Sequence, residues 1–325
     1  MKSASYEQFG NPTEVLSVTE RPKPEPKATG VRVKTILASI HNHDLLTIRG
    51  QYGFKPKLPA IGGSEAVGVI DAVGTEVKGL TVGQKVAAAS VQGTWAQYFT
   101  APSQMVFAIP DTIPDEMAAQ LIAMPLSALM LIEFLNLQPA QWLIHNAANG
   151  AVGKSLAMLA SARGINTINL VRSAGALSEL KELNLKHNIN TSNEDWKDKV
   201  RAITQDTPIS AAVDAVGGEA SGDLLSLLGF GGTFAVFGAM SGKPMMLNPS
   251  DMIFKQAILK GFWGSKISQE MEFANKQRLI QELIDRAVSG KLTLPTGAIF
   301  DLADIKKAVD GKVQKEKMGK VLVRV

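Results

Sequence analysis

The stretch WLIHNAANGAVGKSLAMLA, residues 142–160, decides how the rest of the chain is read. An apolar run ends in a cluster of small residues, and a helix-forming run rich in Ala, Leu and Met follows. Ala148, Gly150 and Gly153 stand in the A-x-G-x-x-G spacing. Each position has a physical reason: a tight turn, close backbone approach to a pyrophosphate, and close packing of helix on strand. Amides at the start of the helix then face the anion. Ala157, Ala160 and Gly164 continue the small-residue face, as a backbone packed close against a sheet requires. A phosphate loop is the competing motif, because AANGAVGKS ends in Gly-Lys-Ser; it needs glycine where the chain has Ala148.

Outward from this turn, strands and helices alternate. INTINLVR (165–172), SAAVDAV (210–216), TFAVFG (233–238) and AILKGFW (257–263) read as strands, while ALSELKEL (176–183), SGDLLSLLG (221–229) and SDMIFKQ (250–256) read as helices. Short connections between them imply a parallel, doubly wound sheet with right-handed crossovers. The second strand ends in NLVRS, where an enzyme using NAD would carry an acid for the ribose hydroxyls. Arg172 cannot accept from a hydroxyl, but its guanidinium can grip a 2′-phosphate, so NADPH is the expected cofactor.

Residues 31–110 have a different texture of short apolar runs broken by Gly and Pro, which reads as β-rich. PDTIPDEMAAQLIAMPLSALMLIEFLNL (110–137) is helical in length and period and marks a boundary near residue 120. The tail from Ser265, ending in the strand KVLVRV, is expected to return to the β-rich part and cover it. The expected domains are therefore residues 1–120 with 265–325, and residues 121–264. In the first of these, TIRGQYGFKPKLPAIGGSE (47–65) sets one tyrosine, Tyr52, in a loop shaped by four glycines and two prolines.

Composition narrows the chemistry. The 325 residues contain no cysteine, which excludes disulfides, thiolate catalysis and sulfur-liganded zinc. A formal charge of +4 is small, and the lysine-rich runs KDKVRAITQD and KVQKEKMGK suit solvated helix faces better than nucleic-acid binding. The most apolar run is interrupted by Gln120, Pro125 and Glu133, so no membrane span is expected. The amino terminus lacks a secretory or transit pattern, and the expected location is cytoplasmic.

LPAIGGSEAVGVIDAVGTEVKGLTVGQKV, GTWAQY, NAANGAVG, VDAVGG and GKVLVRV together resemble the medium-chain dehydrogenase/reductase superfamily over nearly the whole chain. Within it, IRGQYGFKPKLPAIGGSEAVG, INTINLVR, IFKQAILKGFWGS and GKLTLP are similar to the trans-2-enoyl-thioester reductases, with NADPH:quinone oxidoreductases sharing the scaffold. The resemblance implies an α/β fold, a Rossmann domain inserted into a β-rich GroES-like catalytic domain. It implies reduction of an activated C=C bond, in which Tyr52 is the proton donor, a role open to a phenol at neutral pH.

By the same resemblance, Asn149, Gly150, Ala151, Val152 and Gly153 line the pyrophosphate, and Arg172 and Ser173 meet the 2′-phosphate. Phe237, Gly238, Ala239 and Met240 form the nicotinamide-side loop, Phe262, Trp263 and Gly264 flank cofactor and substrate, and Lys320 contacts the cofactor. Met124 stands where that family has an asparagine near the nicotinamide.

Zinc enzymes of the superfamily carry a histidine where this chain has Ser64. His41 falls near those enzymes' first-ligand position, with His43 and Glu65 as possible companions, so composition leaves a sulfur-free site open; polar roles in a loop suit His41 and His43 better. No metal, a small-molecule substrate and a homodimer are the expectations. NADPH:quinone reduction, zinc-type alcohol oxidation, and a non-catalytic NADPH sensor or RNA-binding protein are the alternatives.

Overall fold

The computed structural model describes residues 1–311 and 319–325. Most of the lysine run KVQKEKMGK lies outside the described residues. Two compact units are present. The first comprises Met1–Ala123, Ile280–Val288 and Leu294–Val325, and the second Met124–Leu279 and Ser289–Thr293. The chain thus rejoins the first unit at Ile280, and residues 265–279 group with the second.

In the first unit the strands are β1 (Lys2–Tyr6), β2 (Ser17–Glu20), β3 (Gly30–Ser39), β4 (Ala60–Ile61), β5 (Glu65–Val73), β6 (Lys85–Ala89), β7 (Tyr98–Pro102) and β8 (Val106–Ala108). Those of the second unit are β9 (Trp142–His145), β10 (Asn166–Val171), β11 (Asn188–Asn190), β12 (Ile209–Asp214), β13 (Leu228–Val236) and β14 (Ile258–Gly261); β15 (Thr296–Asp301) and β16 (Lys320–Arg324) belong to the first.

One sheet of the first unit runs β15-β16-β3-β5-β6-β8, with β7 also on β3, and a smaller one runs β2-β1-β4. Ten-residue β3 is the shared element. It pairs antiparallel with β5 along its length, with β7 at its start and with β16 at its end.

Trp95 is fully buried in this core and donates its indole N–H to the carbonyl of Ser39 at 2.9 Å. The Gly62-Gly63 pair exists for that ring: a Cβ on either glycine would fall 2.3 Å from a Trp95 carbon, and Gly63 has φ +90°. The packing fixes where Ser64 and Glu65 emerge.

The helical stretch expected over residues 110–137 is two helices, Asp115–Ala118 and Ala123–Phe134. The buried carboxylate of Glu65 explains the restart, since its Oε1 accepts from the amides of Ile122 (2.7 Å) and Ala123 (2.8 Å). An acid at the first amides of a helix satisfies donors that have no partner within it.

The sheet of the second unit is parallel throughout, in the order β11-β10-β9-β12-β13-β14. By sequence this is 3-2-1-4-5-6, the dinucleotide-binding order, which reverses between β9 and β12. β10 and β12 are buried almost end to end, as strands covered on both faces must be. β11, Asn-Ile-Asn, went unread in the sequence because it is short and polar. It is held through Asn169, whose amide N–H donates to the Lys186 carbonyl at 2.7 Å and to Asn188 at 3.0 Å.

Candidate active site

In the second unit, β9 runs into the turn Asn146-Ala147-Ala148-Asn149-Gly150 and then the helix Ala151–Ala162. Ala147 takes φ +50°, which makes the turn tight. A Cβ on Gly153 would lie 2.7 Å from both Cα and O of Ala148 and 2.8 Å from O of Ala147, so only glycine lets the helix sit this close. Helical bonding starts at Lys154 N–H to the Gly150 carbonyl, 2.9 Å. The amides of Ala151, Val152 and Gly153 therefore come before it and are available to an anion. Asn149 and Gly150 are exposed, Ala151 and Val152 half-buried.

Lys154 is turned away from that role. Its ammonium is buried and pairs at 2.5 Å with the buried carboxylate of Glu179 on the helix Ala174–Glu182. A phosphate-loop lysine must reach its phosphate, so this pairing removes the competing motif.

Arg172 and Ser173 follow β10, both exposed. Ser173 caps the helix Ala174–Glu182, its Oγ accepting from the Ala176 amide at 3.2 Å. Ser192 Oγ donates to the Arg172 carbonyl at 2.8 Å, which fixes the backbone while the guanidinium reaches solvent.

The point where strand order reverses is tied by a network that sequence reading missed. Asn146 Nδ2 donates to Asp214 Oδ1 (2.6 Å), and Asn146 Oδ1 accepts from the Ala215 amide (2.8 Å). Asp214 also accepts from the amides of Val216 and Gly217 and from Ser221 Oγ. The acid of VDAVGG was the available signal, but nothing in spacing reveals its partner 68 residues away.

Phe237 and Gly238 amides both donate to the Asp214 carbonyl, and Met240 N–H to Ala215, which places the 237–240 loop at the carboxyl end of β12. Phe262 is buried against Phe134 and Phe237, with ring separations of 5.3 and 5.9 Å. Gly264 opens the helix Gly264–Glu270, and Trp263 and Met240 are exposed.

In the first unit, Tyr52 is half-buried on the loop after the helix Asn42–Ile48. Its ring lies 5.8 Å from that of His43, which stacks on His41 at 5.0 Å and 12°. His43 Nε2 contacts Ser64 Oγ at 2.7 Å, and Ser64 Oγ donates to Asp44 Oδ1 at 2.6 Å. Asp44 Oδ2 accepts from the His41 amide at 2.9 Å.

His41 Nε2 meets Glu65 Oε2 at 2.7 Å, both side chains fully buried, and His41 Nδ1 has no partner among the described residues. Burial holds the His41 imidazole far below its ordinary range, so it is neutral; Lys320 and His43 act in the same direction. Burial likewise pushes Glu65 up to about 7, against the opposing pull of the Ala123 and Ile122 amides, Lys320 and His43. A neutral imidazole donating through Nε2 to this carboxylate leaves an unpaired lone pair at Nδ1, a lesser cost than an orphaned N–H.

Lys320, expected at the cofactor, sits in the first unit at the start of β16 and acts electrostatically on His41 and Glu65. Tyr6 on β1 also feels Asp44, and burial first, then that charge, pushes its phenol up to about 12.

Among the described residues, no group of three or more His, Cys, Asp or Glu side chains is gathered for a metal. Nor is any helix there long and apolar enough to cross a membrane.

The chain matches the model of the alcohol dehydrogenase GroES-like domain over residues 27–111, and that of the zinc-binding dehydrogenase over residues 151–282. It is 33% identical to the mitochondrial enoyl-[acyl-carrier-protein] reductase of Homo sapiens, over 97% of this chain and 86% of that one. The Arabidopsis thaliana enzyme of the same name is 34% identical over 91% of this chain and 80% of that one.

Among solved structures, a Bacillus thuringiensis protein assigned as an NADPH:quinone reductase superposes with a TM-score of 0.91 at 30% identity, covering 100% of this chain and 98% of that one. A mycobacterial protein complexed with NADPH gives 0.88 at 25% identity, with both chains fully covered. The chain belongs to the medium-chain dehydrogenase/reductase superfamily, within the group that holds the enoyl-[acyl-carrier-protein] reductases and the NADPH:quinone reductases.

Proposed function

We propose that this protein is an NADPH-dependent reductase of activated C=C bonds, with trans-2-enoyl thioesters as its leading substrates and quinones as the second class. The observation that carries the reading is the pairing of a glycine-tight helix start with an exposed Arg172 one strand over, on a chain a third identical to enoyl reductases. These groups fit the cofactor: helix amides suit a pyrophosphate, and the exposed guanidinium of Arg172 with Ser173 suits a 2′-phosphate.

The 237–240 loop, Trp263 and Gly264 offer a partly apolar wall for the nicotinamide, with Phe262 buttressing it from below. Bound NADPH supplies a hydride for the substrate's β-carbon. Tyr52 then gives its phenolic proton to the α-carbon, and its Gly- and Pro-bounded loop limits the positions that the ring can take.

A homodimer is part of the reading. β14 is the outer strand of its sheet, and Phe230, Ile253, Phe254 and Ile258 are exposed on and beside it. An apolar strand edge of this kind favours pairing with a second copy, and Phe254→Glu converts the dimer to monomer in sedimentation if that edge is the interface.

Steady-state assays of NADPH oxidation with crotonyl-CoA, a long-chain enoyl-CoA and 1,4-benzoquinone test the substrate class. Turnover of quinone alone, with Tyr52→Phe as fast as wild type, refutes the enoyl assignment.

A further inference from the structure

We propose that His43 is a positioning residue for the proton donor: it sets the acidity of Tyr52 through a hydrogen-bonded chain that ends at Asp44. The inference rests on the reading of Tyr52 as proton donor and adds to it a residue that none of the sequence motifs singled out for the reaction.

The geometry settles where the protons lie. Ser64 Oγ is 2.6 Å from Asp44 Oδ1, and a carboxylate only accepts, so the serine proton points to Asp44. The oxygen is then left to accept at 2.7 Å from His43 Nε2, which must carry hydrogen. The His43 tautomer is thereby fixed, with Nδ1 as its basic nitrogen. The Thr47 hydroxyl donates to the His43 carbonyl at 2.7 Å, which steadies the helix turn that carries the ring.

A proton taken up at Nδ1 makes an imidazolium that Asp44 stabilises, through the serine hydrogen bonds and by its charge 3.6 Å from the ring nitrogen. That cation lies one ring separation, 5.8 Å, from Tyr52. A positive charge at this distance stabilises the phenolate left by proton transfer, and so strengthens the phenol as an acid without entering the reaction itself. Solvent supplies the proton at Nδ1, Tyr52 gives its own to the substrate α-carbon, and solvent restores the phenol.

Other charged and titratable groups face His43 from each neighbouring element. His41 stacks on it, Glu65 from β5 bonds His41 and interacts with His43, Lys320 from β16 acts on His41 and Glu65, Asp44 lies on its own helix, and Tyr6 from β1 feels Asp44. Glu65, titrating near 7, is the one most able to imitate a His43 effect.

The experiment is a pH profile of kcat/KM with crotonyl-CoA, set against the imidazole resonances of His43 followed by NMR in the free protein. In wild type, kcat/KM falls on the order of tenfold as pH rises, with its midpoint at the one the His43 resonances show. His43→Gln, which still donates to Ser64, holds the low, high-pH rate across the range. Ser64→Ala moves the kinetic and NMR midpoints together to lower pH, while Glu65→Gln leaves the limb in place.

A limb that persists in His43→Gln, or that disagrees with the wild-type NMR midpoint, overturns the proposal. Tyr52→Phe separates the two levels. Wild-type rate in that variant defeats the parent reading, whereas loss of rate together with an unaltered limb in His43→Gln defeats only the role of His43.

Discussion

Lys154 is the residue where the sequence most invites a wrong role, and the structure gives its alternative a magnitude. The ammonium and the Glu179 carboxylate are both at least nine-tenths buried and bonded to each other across two helices. Lys154→Met deletes one charge and strands the other, which costs about 3–5 kcal/mol. Glu179→Leu alone strands the ammonium at a similar cost. The double variant removes both charges and fills the space with apolar atoms, so its stability returns to within about 1 kcal/mol of wild type or exceeds it. The cycle therefore closes with a coupling of several kcal/mol.

Urea unfolding reads the global effect, and hydrogen exchange in the helices Ala151–Ala162 and Ala174–Glu182 reads it locally, which matters in a chain of two units. NADPH titration supplies the decisive contrast, because the double variant binds within about threefold of wild type if Lys154 serves only Glu179. Stability untouched in Lys154→Met together with NADPH affinity lowered by more than about tenfold refutes the reasoning and returns the lysine to a phosphate.

Two further outcomes follow from the packing around Gly153 and the burial of Glu65. Gly153→Ala places its Cβ against backbone atoms of Ala147 and Ala148 that cannot rotate away; the expected loss is about 1–3 kcal/mol and about tenfold in NADPH affinity, and Gly150→Ala, 3.2 Å from one carbonyl, is expected to lose less; thermal melts and cofactor titrations check both. Glu65, raised from 4.5 to about 7, contributes stability that is complete below pH 4.5 and lost as pH rises through 7. The stability of wild type relative to Glu65→Gln therefore falls by about 3 kcal/mol across that window; His41, depressed from 6.5, works in the opposite sense in both proteins, and chemical denaturation at several pH values checks the difference.

How much was legible beforehand depended on whether the information was local. The glycine turn, the order of strands and helices and the arginine after β10 follow from residues within a turn or a strand of one another, so period and spacing reveal them. β11 escaped because three residues of Asn-Ile-Asn carry no period, and its place is dictated by Asn169 on another strand. The break before Ala123 escaped because its cause, the carboxylate of Glu65, is 57 residues distant.

The same holds for the sites. Asn146 and Asp214 look unremarkable singly and become a clamp only when β9 and β12 lie side by side. His41, His43 and Glu65 were recognisable as a polar group, but their partners were not. Only the folded chain shows that Glu65 caps a helix and that His43 reaches Asp44 through a serine.

The central claim is that the chain joins an NADPH hydride and a Tyr52 proton across a C=C bond. The most direct measurement follows the label: crotonyl-CoA is reduced with NADPH carrying deuterium at the transferable position, and the product is analysed by NMR, for wild type and for Tyr52→Phe. The expected result is one deuterium at the β-carbon, solvent hydrogen at the α-carbon, and a rate at least about a hundredfold lower in Tyr52→Phe. Butyryl-CoA without deuterium, or no butyryl-CoA at all while quinone is reduced, contradicts it.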